Sequence, residues 1–394
     1  MNWQDDLQFY FFHFMPYHPF PEDHKKYAST WVDFPNRLFD PEIGHRLYRT
    51  YLKELVMADQ YGYDGLVVNE HHNTAYSLMP ACSLIAAALI PQTKNAKICL
   101  FGTPATLQYP NRLAEEYGML DVMSGGRIEI AFPMGTGMEY WSNATSINPT
   151  TSRARLQEGI EIMIQAWTQP GPTSFDGEFA SYKYLNPWPL PYQKPHPKIA
   201  MVGSSPETLQ FAAERGWAYS MVVAAPRKAQ LESYRRYEEA AAKAGHEVTP
   251  DKKPISAFVY VAETEEIAVR EAKEHLQFFF ENSIRTTPRY LAPPGYANLA
   301  TFKAGATSRS LHSGFDWEGL KANTRLAYGS PQQVAEKIYD WCDEVGSSRI
   351  ILHMHKGDMP HWKTVKSLTM FAEEVMPLLR KKRQLDAPAQ RIAV

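Results

Sequence analysis

The sequence predicts an α/β chain folded as a single (β/α)8 barrel. Three observations predict it. Short β-rich runs alternate with helical patterns of ~10–18 residues, the signature of parallel βα units. The runs number eight, the count of a closed barrel. Several of them are apolar throughout, as in the AMVG and IILHM runs, which suits strands buried on both faces.

The eight runs are residues 7–14, 64–69, 97–103, 127–132, 198–203, 218–223, 255–262 and 348–354. Helical patterns cover 44–61, 80–91, 110–123, 153–167, 206–215, 228–244, 264–282, 331–345 and 363–380. Two starts are explicit: Ser205-Pro206 and Ser330-Pro331 each place an N-cap hydroxyl before a proline at the first helical position. An open doubly wound sheet is the alternative arrangement of the same units.

Three stretches exceed ordinary loops. Residues 15–43 are aromatic and proline-rich and follow strand 1. Residues 170–197 contain NPWPLPYQKPHP, which must be extended. Residues 283–327 precede strand 8. Loops that follow barrel strands build the active-site face, so 15–43 and 283–327 are expected to act as lids over it. The expected organisation is one domain over 1–380 and a disordered tail over 381–394.

Composition excludes several classes. A net charge of −2 gives no footprint for nucleic acid or an anionic membrane. The N-terminal MNWQDDLQFYFFHFM run is acidic where a signal peptide is basic, and no apolar stretch is long enough to span a bilayer. The three cysteines, Cys82, Cys99 and Cys342, make neither a CxxC pair nor a metal spacing. A cytoplasmic location is expected.

Candidate chemistry gathers at strand ends. Glu70-His71-His72 follows strand 2, on the rim where a histidine serves as an acid or base near neutral pH. His353 and His355 share a face two residues apart; with His13 they would give a metal-dependent hydrolase, although no HExxH or acidic ligand spacing supports a metal. Gly203-Ser204-Ser205-Pro206-Glu207-Thr208 joins strand 5 to a helix N-terminus, where free N–H groups and the dipole favour an anion. Gly135 and Gly137 after strand 4 permit close backbone approach.

These residues also carry a family resemblance. The EHH at 70–72, the run TLQYPNRLAEEYGMLDVMSGGR at 106–127, the GSSPET at 203–208 and YGSPQQVAEKIYDWCDEVGSSRIILHM at 328–354 come in the order and spacing of bacterial luciferase and its flavin-dependent relatives. The match runs from about residue 60 to 245 and again from 328 to 380. The resemblance implies a barrel of the luciferase type that uses reduced FMN and O2. It implies a C4a-peroxyflavin that oxygenates a small organic substrate: an aldehyde, a ketone or a heterocycle. NAD(P)H would act indirectly, through a separate flavin reductase. Relatives are commonly homodimers or homotetramers.

By the same resemblance His71 takes the place of the catalytic histidine. From their place at and after strand 1, His13, a second catalytic candidate, and Tyr17 and Phe20 would line a substrate pocket walled by the 15–43 and 283–327 segments. Thr103, Pro104 and Ala105 match the bed of the flavin ring, which the family rests on a non-proline cis bond, here Pro104–Ala105. Pro133 and Met134 would border the cofactor. Arg153, Gly203, Ser204 and Ser205 would hold its phosphate. Met134 departs from the pattern, since luciferase has a second arginine there. A deazaflavin-dependent oxidoreductase and a flavin-binding relative without turnover remain alternatives.

Overall fold

The computed structural model describes residues 3–27, 29–102, 105–135, 139–140, 142, 149–286, 290 and 315–380. Its centre is a sheet of nine strands in the order β10-β9-β11-β1-β2-β3-β4-β7-β8, with every pairing parallel. The strands are β1 Gln8–His13, β2 Gly65–Asn69, β3 Lys97–Phe101, β4 Ile128–Pro133, β7 Lys198–Val202, β8 Ala218–Ser220, β9 Ile255–Val261, β10 Leu326–Gly329 and β11 Arg349–His353. β5 Thr173–Asp176 and β6 Ser181–Leu185 form a separate antiparallel hairpin within the 170–197 segment.

All eight predicted strands are present, and β10 is an addition. It follows the long insertion and pairs with the C-terminal half of β9, while β11 pairs with the N-terminal half. The two ends of the strand order, β8 and β10, are tied by side chains. Ser220 Oγ and Tyr234 Oη both reach the Pro254 carbonyl, at 3.5 and 2.5 Å. Arg325, fully buried, donates to Gln230.

Helices cover the outside: α1 Pro41–Gln60, α2 Cys82–Leu89, α3 Pro110–Ser124, α4 Ser152–Thr168, α5 Pro206–Glu214, α6 Arg227–Lys243, α7 Glu265–Phe278, α8 Trp317–Asn323, α9 Pro331–Val345 and α10 His361–Met370. α1 begins earlier than the apolar spacing suggests, because Asp40 caps Glu42 and Ile43 N–H and Pro41 fits the first turn. α9 carries the full reciprocal cap between Ser330 and Gln333. α7 and α10 each pass into a π-helical turn, Phe279–Ser283 and Phe371–Val375.

Strand register stacks the interior in layers. At the N-terminal end Tyr10 donates to Glu129 at 3.1 Å, Arg349 pairs with Glu129 at 3.0 Å, and the Arg349 guanidinium lies 4.5 Å over the Tyr10 ring. Gly65 is required beside them, since a Cβ there would lie 2.2 Å from the Tyr10 ring. Phe12, Val67 and Cys99 stand side by side above them. Asn69, Phe101, Pro133, Val202 and His353 end the strands at the opposite, C-terminal rim. A filled bottom and a ring of strand ends above it leave that rim as the surface available for chemistry.

Candidate active site

His71 leaves the rim just after β2. Its Nδ1 lies 3.0 Å from Glu139 Oε1, and the Glu139 side chain is almost fully buried. With Nδ1–H donating to that carboxylate, Nε2 is left as the atom able to take or give a proton. The Tyr76 ring packs 4.8 Å from His71, and Trp31, delivered by the 15–43 segment, meets it edge-on at 6.0 Å. The neighbouring His72 is turned to Glu70 at 3.1 Å; burial works against its protonation, but the Glu70 hydrogen bond and charge outweigh it and raise the pKa. Glu70 in turn accepts the first N–H of α2, from Cys82.

Two features of the inner wall beside His71 are notable. Asn69 is buried at the end of β2, and neither its amide oxygen nor its nitrogen has a hydrogen-bond partner among the described residues. Gly102, at the end of β3, brings its backbone so near Glu70 that a Cβ would lie 2.7 Å from the Glu70 nitrogen. Ala105 is buried against α4, whose Gly159 approaches the Ala105 carbonyl. Thr103 and Pro104 lie outside the described residues, and with them the Pro104–Ala105 bond; so does Gly137.

Further round the rim, Pro133 pairs with Val202, and the Met134 carbonyl accepts a hydrogen bond from Tyr140 at 2.9 Å. Ser205 caps α5, accepting from Thr208 N–H at 3.2 Å. Arg153, from the first turn of α4, reaches the same helix start: its Nη1 donates to Thr208 Oγ1 at 3.3 Å and its Nη2 lies 3.8 Å from Glu207. Gly203, Ser204, Ser205 and Arg153 are therefore brought to one helix N-terminus. A cleft of about 260 Å³ opens beside Ser204 and Ser205, with Tyr219, Arg236 and Lys243 among its walls.

His13 lies elsewhere. It faces out of the barrel against α1, fully buried, with Nε2 2.8 Å from Glu54. His355 and His361 reach the same carboxylate at 3.1 and 2.7 Å. His13, Glu54 and His355 bring three ligand-type atoms within 4.8 Å of one another. However, His13 Nδ1 accepts the Met15 N–H at 2.8 Å, so the ring proton sits on Nε2 and is donated to Glu54. That arrangement is a hydrogen-bonded knot, with the lone pairs of His13 not free for a cation. Burial lowers the His13 pKa to about 4, against the pull of Glu54. Burial would raise Glu54, yet the three histidines overrule it and hold the carboxyl well below its usual range. His353 points to the opposite side, stacked on Phe12 at 4.4 Å inside the barrel.

Of the remaining pocket candidates, Tyr17 is buried and donates to the Leu38 carbonyl, and Phe20 stacks on Phe278. Sequence reading did not find Glu139, Trp31, Tyr76 or Phe279. The signal for Glu139 was present, as the first acid after the glycine turn that follows β4. The aromatic residues carry no signal, because a ring in a loop reads as packing until the fold shows what it faces.

The family model for luciferase-like monooxygenases matches residues 35–348. The chain belongs to the luciferase-like monooxygenase family. It is thereby a flavin-dependent monooxygenase by class. It is 23% identical over 348 residues to the oxygenase component of the flavin-dependent trigonelline monooxygenase of Acinetobacter baylyi, covering 86% of this chain and 92% of that one. It is 27% identical over 370 residues to the 3,6-diketocamphane 1,6-monooxygenase of Pseudomonas putida, covering 83% and 91%. The solved structure of that enzyme's oxygenating constituent, in complex with FMN, superposes with a TM-score of 0.70 at 23% identity over 94% of this chain and 98% of that one. An F420-dependent secondary alcohol dehydrogenase shares the fold, with a TM-score of 0.66 at 16% identity over 94% and 98%. Among the described residues no helix is long and apolar enough to cross a membrane.

Proposed function

We propose that the chain is the oxygenase component of a two-component system that takes reduced FMN from a separate NAD(P)H-dependent reductase and uses O2 to oxygenate a small organic substrate. One arrangement carries the reading: His71, braced by Glu139, follows β2, and Ser205, with Arg153 at the same helix start, follows β7, with the ends of β3 and β4 between them in the strand order. The residues fit the cofactor. The unsatisfied Asn69 amide is a buried cost of about 1–3 kcal/mol that a polar ring edge would relieve. The close approach at Gly102 keeps the wall flat. Arg153 offers fork geometry, and the α5 N-terminus the positive end of its dipole, to a phosphate.

Reduced flavin, when bound, supplies two electrons and the activation of O2. The chain supplies the rest. Glu139 holds the Nδ1 proton of His71, so that Nε2 gives or takes a proton at the reacting oxygen. Trp31 and Tyr76 wall that side from water, which keeps reducing power from being lost to bulk solvent. In this reading His13 anchors the end of β1 and takes no part in the proton transfer.

The relatives are named as oxygenating trigonelline and a diketocamphane. Both are compact rings, while other relatives are named as alkanal monooxygenases; we take the cyclic ketone or heterocycle as the reading to test first. Self-association rests on a different observation: Leu84, Met119, Val122 and Met123 on α2 and α3, with Tyr184, Trp188 and Tyr192 of the 170–197 segment that packs along α3, expose much of their apolar surface. We read that surface as the homodimer contact.

The test supplies purified protein with FMNH2 from a generic reductase and follows O2 uptake coupled to product over a panel of cyclic ketones and nitrogen heterocycles. FMN retention in preference to a deazaflavin, and coupled oxygenation lost in His71→Ala, are expected. Retention of a deazaflavin alone would overturn the oxygenase reading.

A further inference from the structure

The C-terminal ends of β9, β10 and β11, joined to His71 through the Tyr76 and Phe14 rings, enclose three polar groups. Among the described residues His353, at the end of β11, has no partner for Nδ1, and Tyr328 on β10 has none for its hydroxyl; both are buried. Lys356, three residues beyond β11, has no exposed surface at all. Among the described residues its Nζ reaches only the carbonyls of Val259 and Met354, at 3.4 and 3.5 Å, beyond the usual hydrogen-bond range of about 2.7–3.2 Å. The Tyr328 and Phe258 rings lie 5.3 and 5.8 Å from it.

No carboxylate among the described residues pairs with Lys356, and residues 282–315, the insertion ahead of β10, contain no Asp or Glu. A buried ammonium without a counter-ion is strongly unfavourable. The fold tolerates it in one of two ways: as an amine kept neutral by burial, or as a cation awaiting an anion. Burial does push the amine well below its ordinary value. Its position decides between the two. Lys356, Tyr328 and His353 surround Phe258 at the catalytic rim of the barrel, and a structural amine has no reason to stand there beside two further orphaned polar atoms.

The walls are aromatic. Phe12, Phe14 and Phe258 flank His353, and Phe279, from the π-helical turn, packs on both Phe14 and Phe258. These rings touch one another, and the continuous aromatic wall they form suits a flat ring packed against it, not between them. We propose that Lys356, with Tyr328 and His353, forms the anion-binding end of the substrate site, and that the substrate is a planar ring bearing a carboxylate or sulfonate. The inference rests on the oxygenase reading only in calling this ligand the substrate.

The full-length protein, with and without saturating FMN, is titrated calorimetrically with benzoate, benzenesulfonate and the neutral benzamide. The anions are expected to bind at least tenfold more tightly than benzamide. Lys356→Met should erase that preference with benzamide affinity unchanged. Tyr328→Phe, which keeps the ring packing, should weaken benzoate about threefold or more. The preference for FMN over riboflavin should be unaltered in both variants. Equal binding of benzoate and benzamide, no binding of either anion, or unchanged benzoate affinity in the variants refutes the proposal. Loss of FMN preference in Lys356→Met also refutes it, by making the flavin phosphate the anion. Binding without flavin and FMN retention are separate readouts, so failure of the flavin assignment would not be mistaken for failure of this one.

Discussion

Glu54→Gln tests whether the buried histidine knot is a frame of the barrel. Glu54 is fully buried and accepts N–H from His13, His355 and His361. These donors come from β1, from just past β11 and from the start of α10, so one carboxylate joins three elements to α1. A carboxamide keeps a single acceptor oxygen and turns an NH2 toward the ring donors. His361 is partly exposed and can turn to water. His13 cannot, because Met15 N–H fixes its tautomer. The variant therefore loses the charge-assisted part of two hydrogen bonds and leaves a buried donor facing another donor. Removing one partner of a buried charged network costs about 3–5 kcal/mol, and His355 can recover some of this by changing tautomer, so about 3 kcal/mol is expected. Urea unfolding followed by circular dichroism at pH 7.5 reads it, with FMN affinity as the control that should stay level. The sign of the pH dependence is also fixed. A depressed carboxyl contributes stability above its unfolded pKa and loses it as pH falls through the folded one. Parent and variant should converge in acid, below pH 4.5. A loss under about 1 kcal/mol at pH 7.5, or a gap that widens in acid, would refute the reasoning.

Other expectations follow from the same geometry. His13 has a folded pKa of about 4 against 6.5, so the unfolded chain binds more protons between those values, and stability should fall by up to about 3 kcal/mol as pH drops from 6.5 to 4; urea melts across that window should show the slope, and a flat profile would contradict the burial argument. Glu139→Ala should lower coupled oxygenation about 10²-fold or more with FMN affinity nearly constant, measured as product formed per O2 consumed. Arg153→Met should weaken FMN about tenfold or more while leaving riboflavin unchanged, read by flavin fluorescence quenching. Gly102→Ala places a Cβ against the Glu70 backbone, so melting should show a destabilised protein that binds flavin poorly.

Much of the barrel was legible because its strands are apolar on both faces and its helices announce their starts. Ser205-Pro206 and Ser330-Pro331 became the caps of α5 and α9 as read. β10 was not legible. Its LAYG run has four residues and follows a long insertion, and only tertiary pairing with the far half of β9 makes it a strand. His71 was found because strand order puts the residues after β2 on the rim. His13 ends a strand too, yet its side chain leaves the barrel on the other face, and the parity of β1 settles which way it points only once Tyr10 and Phe12 are known to face inward. His353 and His355 share a strand face in principle. The chain leaves its strand after His353, so His353 stays inside with Phe12 while His355 joins Glu54.

That divergence has a consequence for the whole mouth. The same few residues after β11 send His355 outward to the Glu54 knot and Lys356 inward to Phe258 and Tyr328. Gly357, with φ at +53°, then turns the chain under α7, where a Cβ would meet the His275 carbonyl at 2.9 Å. The knot thus fixes the stretch that carries Lys356, without touching anything on the rim itself. A lysine held this firmly loses little freedom when an anion arrives, so binding costs less than it would for a lysine on a surface stem. Loosening the knot should then weaken an anionic ring ligand while leaving its neutral counterpart unaffected. Glu54→Gln, chosen above as a stability variant, becomes a test of that link: benzoate affinity should fall with benzamide affinity unchanged, and equal loss of both would show that the two sides of the segment are uncoupled.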